Sequence, residues 1–282
     1  MSTARPRTWL ITGVSSGFGR ELAQAIVARG DTVVGTMRQK AQLSAFEALA
    51  PGRAHGRILD VTDAAAIAPL VAEVEAKVGP IDVLVNNAGY GLGGAVEEID
   101  DAEARHVMET NFFGTLNLIK AVVPHFRARR AGHLVNFSSM AGILGIPGVA
   151  LYCAAKHAVS GLSEALAGEL APFGIRVTVV EPGGFRTNFA GGSLVLAKRT
   201  MSEYDGTPAA RPRAMKEHYH GTQQGDPAKA AAAVIAIVDA PQPPVHFVLG
   251  PDAVAAARNK LARFGDEITA WEALSSGTNY SN

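Results

Sequence analysis

Seven short and almost continuously apolar runs recur along the chain, separated by longer stretches with helical periodicity. Such runs are typical of parallel strands covered on both faces, because neither face of the strand then meets water. Alternation of strands and helices predicts an α/β fold, and we expect one Rossmann-type, doubly wound parallel sheet with helices on both faces, built as a single domain over residues 1–282. The predicted strands are residues 8–11, 32–34, 57–59, 81–85, 133–137, 176–180 and 245–249.

The connections between these strands contain apolar residues at helical spacing, as in residues 20–29 and 64–78. Gly30, Gly79 and Gly174 each stand just before a predicted strand, where a left-handed residue would end the preceding helix. Residues 189–226 do not follow this alternation of strands and helices, since they contain several glycines and prolines and mixed charges. A connection of that length in a compact domain usually has a function.

Composition and charge narrow the possible partners. The 282 residues are 48% apolar, and 26 basic side chains balance 26 acidic ones, so neither nucleic acid nor an acidic membrane is an expected partner. The longest apolar run, residues 230–238, is about half of the ~20 residues that a membrane-spanning helix needs. With one cysteine, Cys153, and a polar N-terminal segment (residues 1–7) too short for a signal peptide, the sequence predicts a cytoplasmic protein.

A glycine-rich segment follows the first predicted strand and opens the first helix. Gly13 permits a tight turn, Gly17 lets the backbone approach a pyrophosphate, and Gly19 allows close packing of helix on sheet. The free N–H groups of the helix N-terminus favour phosphates. Ser15, Ser16 and Phe18 complete this predicted cradle, although a plain strand–helix turn would have a similar pattern.

The ends of two further predicted strands also favour nucleotide binding, because α/β sheets bind nucleotides in a crevice at the carboxyl ends of their strands. Asn87, Ala88 and Gly89 follow the fourth predicted strand. Asp60 and Val61 follow the third and could meet an adenine ring. Asp60 could instead cap the next helix, with Asp63 as its rival for that position.

Tyr152 and Lys156 are the candidate catalytic pair. Their spacing of four residues places both on one face of a helix, one turn apart. A tyrosine needs a pKa shift of about 3 units, or roughly 4 kcal/mol, to act as a base near neutral pH, and a nearby ammonium favours that shift. Ser139 lies 13 residues before Tyr152, and Asn111 lies in a predicted helical stretch. A tyrosine and a lysine at this spacing also occur by chance.

The order and intervals of these motifs over residues 8–188 resemble those of the short-chain dehydrogenase/reductase family. They are the glycine loop, Asn-Asn-Ala-Gly, Asn111, Ser139, Tyr-x-x-x-Lys and the Pro182-Gly183 pair with Thr187 after it. The segments Asn-Phe-Phe-Gly and Glu-Pro-Gly-Gly-Phe-Arg-Thr are similar to the branch near hydroxysteroid and retinol dehydrogenases. That branch acts on varied alcohols and ketones, so the resemblance does not name a substrate.

The resemblance implies a role for each of four residues. Tyr152 would pass a proton to or from the substrate oxygen, and Lys156 would lower the pKa of Tyr152 and bind the nicotinamide ribose. Ser139, with Ser138 as its rival, would orient the reacting oxygen, while Asn111 would hold a water in a proton relay. Pro182, Gly183, Phe185 and Thr187 would line the nicotinamide end of the cofactor, and residues 189–226 would form the substrate lid.

The end of the second predicted strand bears on the choice between NADP and NAD. Met37 stands where an NAD enzyme usually places an acidic residue for the ribose hydroxyl. Arg38 follows, with Lys40 close by, and a guanidinium can pair with a 2′-phosphate. We therefore expect NADP(H). The alternative is that Arg38 is a solvated residue after the strand and does not bind the cofactor.

Several other expectations follow for partners and side sites. Apolar residues after the catalytic strand ends, such as Tyr90, Met140 and Phe189, predict a mostly apolar pocket for a small carbonyl or alcohol substrate. We expect no metal site, and we interpret the mixed charges of the lid as solvated in preference to anion-binding. The helices in residues 111–126 and 154–170 are expected to pair in a homodimer or homotetramer, with residues 252–274 either adding contacts or covering that face. A non-catalytic NADP sensor, or an epimerase, dehydratase or lyase, remains an alternative function.

Overall fold

A computed structural model describes residues 5–280, and residues 1–4 of the polar N-terminal segment and residues 281–282 lie outside the described part. The strands in chain order are β1 (Thr8–Thr12), β2 (Thr32–Met37), β3 (Ala54–Ile58), β4 (Ile81–Asn86), β5 (Gly91–Gly93), β6 (Gly132–Phe137), β7 (Ile175–Pro182), β8 (Leu194–Leu196) and β9 (His246–Leu249). Seven of them form one parallel sheet in the order β3-β2-β1-β4-β6-β7-β9, and β5 pairs with β8 separately. The expected doubly wound sheet is confirmed.

The α-helices in chain order are α1 (Gly17–Ala28), α2 (Leu43–Glu47), α3 (Ala64–Lys77), α4 (Asp101–Met108), α5 (Gly114–Arg129), α6 (Ala150–Leu170), α7 (Arg211–His218), α8 (Pro227–Asp239) and α9 (Pro251–Ser276). Short 3₁₀ and π turns lie between several of them. In the part of the chain that the structure describes, none of the helices is both long and apolar enough to cross a bilayer.

Alternate side chains of each strand point to opposite faces of the sheet. Trp9 and Ile11 of β1 pack into one core with residues of α1 and α8, whereas Leu10 packs into a second core with residues of α3 and α5. Because both faces are covered, the central strands are mostly apolar on both sides, which is the pattern that made them recognisable in the sequence. The strand order reverses between β1 and β4, and this switch point is where such sheets bind their ligands.

The edge strand β3 differs most from its prediction. It begins at Ala54, three residues before the predicted start, and ends at Ile58. His55, Gly56 and Arg57 interrupt the apolar run, since a strand at the edge of the sheet has only one neighbour and is less completely buried. The pattern of apolar residues therefore predicted only the C-terminal end of β3.

The helix boundaries follow from local chemistry. Gly30, Gly79 and Gly174 have φ values of 98°, 141° and 69°, as expected for residues that end a helix in the left-handed region. Asp63 caps α3 by accepting a hydrogen bond from the Ala66 N–H at 3.2 Å. Asp60 is not the cap, because its carboxylate accepts instead from the N–H and the hydroxyl of Thr62.

Residues 189–226 are more ordered than their sequence indicated. They contain a π turn (Phe189–Ser193), strand β8 and helix α7, and β8 adds to β5 in a small parallel sheet. Short turns rich in glycine and proline separate these elements, which is why no periodicity extends across the segment. At its C-terminal end, Gly225 pairs with Phe185 in an isolated parallel bridge.

A buried carboxylate anchors this segment to the body of the protein. Glu98 is 2% exposed and accepts hydrogen bonds from the N–H groups of Met201 and Ala95, each at 2.8 Å. The guanidinium of Arg213 completes its contacts. Glu98 therefore holds two separate points of residues 189–226 with one side chain.

We predict that Glu98→Ala opens residues 199–222 without unfolding the sheet. Loss of a buried, charge-assisted hydrogen bond costs about 1.5–3 kcal/mol, so the open form should become about tenfold to a hundredfold more populated. Limited proteolysis followed by mass spectrometry would show faster cleavage within this segment. The control is Glu97→Ala, which removes only an exposed contact with the Tyr204 hydroxyl. Equal cleavage rates in the two variants would contradict the anchoring role.

Candidate active site

Hydrogen bonds between two strand ends hold the glycine loop in place. The Thr12 hydroxyl at the end of β1 accepts from the N–H groups of Asn87 and Ala88, both at 3.0 Å. The Asn87 side-chain amide donates to the carbonyl oxygens of Thr12 and Gly13 at 2.9 and 3.0 Å. Asn87, expected beside the cofactor, thus has a structural role in which both amide hydrogens are used. Thr12 was missed as a site residue because a threonine within a strand carries no distinctive signal.

The glycines of the loop leave room for the backbone to pack closely. A Cβ atom at Gly19 would lie 2.4 Å from the Gly13 carbonyl oxygen and 2.6 Å from the Asn87 amide nitrogen. Gly19 is therefore required for the contact between α1 and the end of β1. At Gly17 the nearest side chain is Thr187, whose Cβ would lie 3.5 Å from an added Cβ, so the loop after β7 meets the glycine loop here.

The N-terminus of α1 fits a pyrophosphate. Ser16 precedes the helix in an extended conformation and its side chain makes no capping hydrogen bond, and no acidic residue lies in the first turn. The first N–H groups of a helix have no partner within it and carry a partial positive charge. Ser15 and Ser16 are exposed beside them. This combination suits a diphosphate and is the property that the sequence predicted for this loop.

The predicted catalytic tyrosine and lysine are both buried on α6. The Lys156 ammonium lies 5.8 Å from the centre of the Tyr152 ring and donates to the Phe137 carbonyl oxygen at 2.7 Å. Ser139 is extended at the end of β6, where its hydroxyl accepts from the Ala141 N–H and lies close enough to Tyr152 to lower the pKa of the phenol. The structure thus brings Ser139, Tyr152 and Lys156 together at the carboxyl end of β6.

Ser138 and Ser139 point to different partners. The Ser138 hydroxyl donates to the carbonyl oxygen of Lys156 at 2.9 Å and accepts from Ser160, which also contacts the buried carboxylate of Glu181. Ser138 therefore stabilises the backbone of α6 at Lys156. Ser139, the preferred residue of the two in the sequence, is the one that contacts the phenol.

Asn111 lies in a π turn (Glu109–Phe113) between α4 and α5. Its side chain is buried and exchanges two hydrogen bonds with the backbone of Tyr90, at 2.9 and 2.8 Å. A Cβ atom at Gly89 would lie 2.5 Å from the Asn111 side-chain oxygen and 3.6 Å from the Lys156 ammonium. Asn111 and Lys156 thus approach the same backbone segment from two sides. The sequence predicted the residue but not the π turn, which has no recognisable pattern.

The remaining predicted cofactor residues lie around the same edge of the sheet. Phe18 packs against Phe137 and Phe185, with ring centres 5.5 and 5.2 Å apart, which joins the glycine loop to the ends of β6 and β7. Pro182 ends β7, and a Cβ atom at Gly183 would lie 2.2 Å from the carboxylate of Asp252. The loop after β7 therefore packs tightly on the start of α9.

The adenine end of the crevice is less enclosed. Val61, expected to meet an adenine ring, is 7% exposed and packs against Gly114 at the start of α5. Met37 is buried in the core, whereas Arg38 is exposed beside Asp60. Burial raises the pKa of Asp60, but hydrogen bonds from Thr62 and the charge of Arg38 outweigh this effect and hold the pKa below its usual value. Arg38 and Asp60 thus lie next to each other at this end.

Sequence and structure comparisons assign the family. Residues 7–194 match the family model of short chain dehydrogenases. The chain belongs to the short-chain dehydrogenase/reductase family. Two relatives, matched over most of this chain, are a 3-ketodihydrosphingosine reductase of Bacteroides thetaiotaomicron (38% identity; 88% of this chain and 89% of the relative) and human retinol dehydrogenase 8 (41%; 72% and 66%). The enzyme class expected from the sequence is confirmed, as is the resemblance to the retinol dehydrogenase branch.

Solved structures show the same relationship. A short-chain dehydrogenase from Streptomyces avermitilis superposes with a TM-score of 0.91 at 43% identity, covering 99% of this chain and all of the other. One from Burkholderia cenocepacia, solved in complex with NADP, has a TM-score of 0.71 at 26% identity and covers 94% of this dehydrogenase and 97% of its own chain. The fold of this dehydrogenase is therefore the one that its relatives use to hold a nicotinamide dinucleotide.

Burial sets the protonation of the two central side chains in this short-chain dehydrogenase. It raises the pKa of Tyr152 well above its usual value, an effect that the hydrogen bond with Ser139 partly offsets. It lowers the pKa of Lys156 to about 8. At neutral pH the phenol is therefore neutral and the lysine is still largely protonated, which is a suitable state for donating a proton.

Other candidate groups of the sequence have structural roles. The Cys153 thiol accepts a hydrogen bond from the Ile146 N–H, and burial raises its pKa, so the thiol stays neutral and packs in the core. Within residues 5–280, no cluster of three or more His, Cys, Asp or Glu side chains has the arrangement of a metal site, and this includes the surroundings of His218 and His220. Lys198 pairs with Asp100, as Arg213 does with Glu98.

We predict a distinctive pH dependence for the stability contribution of Lys156. Its pKa is about 8 in the folded state and about 10.4 in an unfolded chain, so burial of the charge destabilises the fold fully at pH 7. As the pH rises past 8, the folded state releases the proton first and this penalty is lost. Relative to Lys156→Met, the wild-type free energy of unfolding should rise by about 2 kcal/mol between pH 7 and pH 9.5.

Urea unfolding of both proteins at the two pH values would measure this change. The matched control is Lys77→Met, because the Lys77 side chain is 73% exposed and its substitution should give a difference that does not vary with pH. A pH-independent difference for Lys156→Met would show that burial does not depress the lysine pKa.

Proposed function

We propose that this protein is an NADP-dependent oxidoreductase that transfers a hydride between nicotinamide and a carbonyl or secondary alcohol carbon of a mostly apolar small molecule. The observation that carries the proposal is the buried group of Ser139, Tyr152 and Lys156, which lies at the same sheet edge as the glycine loop. Bound nicotinamide would supply or accept the hydride, and the protein would provide orientation and proton transfer.

Each catalytic side chain has a defined task in this proposal. In reduction, the neutral Tyr152 hydroxyl donates its proton to the carbonyl oxygen of the substrate, and the nearby Lys156 ammonium stabilises the resulting phenolate. Ser139 donates a hydrogen bond to the same oxygen and orients it. Asn111, close to the Gly89 backbone that Lys156 also approaches, positions a water for reprotonation.

The cofactor residues follow from the geometry of the crevice. The N–H groups of Gly17, Phe18 and Gly19, with Ser15 and Ser16 beside them, would bind the pyrophosphate. Asp60 and Val61 would lie at the adenine, and Ala88 and Gly89 at the neighbouring ribose. Gly13 and Asn87 shape the loop. Lys156 and Tyr152 would contact the nicotinamide ribose, and the nicotinamide end would be lined by Pro182, Gly183, Phe185 and Thr187.

The preference for NADP depends on the end of β2. Arg38 is exposed at the edge where the adenosine ribose would lie, and no carboxylate is offered there by Met37, which is buried. A guanidinium can bind a 2′-phosphate through paired hydrogen bonds. Solved structures of the same fold hold NADP in one case and NAD in another, so the proposal depends on Arg38.

An apolar substrate is favoured by the surroundings of Tyr152. The Phe189 ring from the π turn of residues 189–226 lies 5.6 Å from the Tyr152 ring, and Ile146 and Val149 pack beside them. Residues 189–226 would act as the lid over this pocket. Retinol is an apolar alcohol and 3-ketodihydrosphingosine a long-chain ketone, so the two named relatives agree with a substrate of this kind.

We further propose one catalytic domain over residues 1–282, a cytoplasmic location and a homodimer or homotetramer. The location is supported by the single, buried cysteine, which needs no oxidising compartment. The assembly is supported by the outer faces of α5 and α6, which could pair across a two-fold axis.

A broad panel of ketones, aldehydes and alcohols, followed by nicotinamide absorbance, tests the reaction. Turnover without net redox change would favour an epimerase, dehydratase or lyase.

We predict that Tyr152→Phe reduces turnover by about 10²–10⁴-fold, the usual contribution of a general acid–base group. Cofactor affinity should change little, since most of the expected contacts to the dinucleotide lie on the glycine loop. Steady-state kinetics and calorimetric cofactor binding measure the two effects separately. Retention of more than about a tenth of wild-type turnover would exclude Tyr152 as the proton donor.

We predict that Arg38→Ala weakens NADPH binding about tenfold to a hundredfold, because a charge-assisted contact to the 2′-phosphate contributes about 1.5–3 kcal/mol. NADH affinity should hardly change. Lys40→Ala is the matched control, as Lys40 is also an exposed cation near this strand end. Calorimetry measures the affinity of wild type and both variants for NADPH and for NADH. Equal wild-type affinities for the two cofactors would refute the preference for NADP.

A further inference from the structure

The C-terminal helix α9 carries a long apolar stripe. Residues 254, 257, 261, 264, 268 and 271 are Val, Ala, Leu, Phe, Ile and Trp, and they alternate in steps of three and four. That spacing places them on one face of the helix and is the seam of a two-helix coiled coil. The stripe runs over five turns of α9.

Of the six stripe residues, Ala257 is the one that is buried, and Val254 before it is 36% exposed. Ala253 and Ala257 are buried against the body of the protein, and Asp252 accepts a hydrogen bond from the Gly184 N–H at 2.7 Å. Further along the same face, Leu261, Phe264, Ile268 and Trp271 are each more than half exposed in the described chain. Four large apolar side chains in a row on one exposed face mark an interaction surface.

The charges beside the stripe change sign along the helix. Arg258, Lys260 and Arg263 lie in its first half, while Asp266, Glu267 and Glu272 lie in its second half. Two copies of α9 in an antiparallel arrangement would bring the basic half of each against the acidic half of the other. In a parallel arrangement, Glu267 would instead face Glu272 of the partner subunit, and like charges would meet.

We infer that α9 pairs with α9 of a second copy of this chain, antiparallel and across a two-fold axis. In the register that covers all four exposed side chains, Phe264 packs on the partner's Ile268 and Leu261 packs on the partner's Trp271. Arg258 then faces the partner's Glu272. Gly265, which has no other atoms within 4 Å of an added Cβ, lies at the crossing point and permits close approach.

The composition of α9 favours this occupant over a lipid surface. The helix contains four acidic and three basic side chains, so it lacks the basic polar face of a helix that lies on an acidic membrane. A second copy supplies both the apolar face and the opposite charges, and each contact occurs twice because the interface is self-complementary. This surface is separate from the outer faces of α5 and α6.

The first experiment measures assembly with a charge placed in the stripe. In Ile268→Glu, the molar mass from multi-angle light scattering at micromolar concentration should fall to half that of wild type, with the circular dichroism spectrum unchanged. Ala270→Glu places the same charge on the opposite face and should keep the wild-type mass. An unchanged mass for Ile268→Glu, or a monomeric wild type, would overturn the inference.

The second experiment tests the antiparallel arrangement by charge reversal. Arg258→Glu and Glu272→Arg should each weaken association severalfold by sedimentation velocity, because each creates two like-charge contacts. The double variant restores opposite charges and should associate within about twofold of wild type. If the double variant remains as weak as the single variants, or if vesicles of phosphatidylserine bind wild type but not Ile268→Glu, the partner is not an antiparallel second copy.

Discussion

The hydroxyl of Thr12 is the contact on which the site depends. By accepting from two consecutive N–H groups after β4, it fixes the end of one central strand against the end of the other. Asn87 returns two hydrogen bonds to the start of the glycine loop, so the two chain segments at the switch point move as one unit. The helix N-terminus is thereby held in position by contacts that leave its own N–H groups for a ligand.

The second constraint is the burial of an ammonium group. Lys156 has only a backbone carbonyl as its hydrogen-bond acceptor, and no carboxylate neutralises it in the described contacts. A buried cation without an anionic partner is costly to the fold, but it becomes useful when a phenolate forms beside it. The same arrangement thus lowers stability at rest and would stabilise charge during the proposed proton transfer.

The central strands, the glycine loop and the Tyr-x-x-x-Lys pair could be predicted because each has a local pattern: continuous apolar runs, spaced glycines and a four-residue interval. The edge strand β3 was only partly predicted, since His55 and Arg57 are tolerated where burial is incomplete. The role of Thr12, the π turn around Asn111 and the anchoring of residues 189–226 by Glu98 depend on contacts between residues far apart in the sequence. Such contacts leave no periodic signal, and they became visible only in three dimensions.

The attachment of residues 189–226 has an evolutionary consequence. Backbone pairing of β8 with β5 and of Phe185 with Gly225, together with Glu98, fixes this segment through groups that do not depend on most of its side chains. Substitutions between these attachment points can therefore change the shape and polarity of the proposed pocket wall while the segment stays in place. A lineage could acquire new substrates by altering these residues, with Ser139, Tyr152, Lys156 and the sheet left intact.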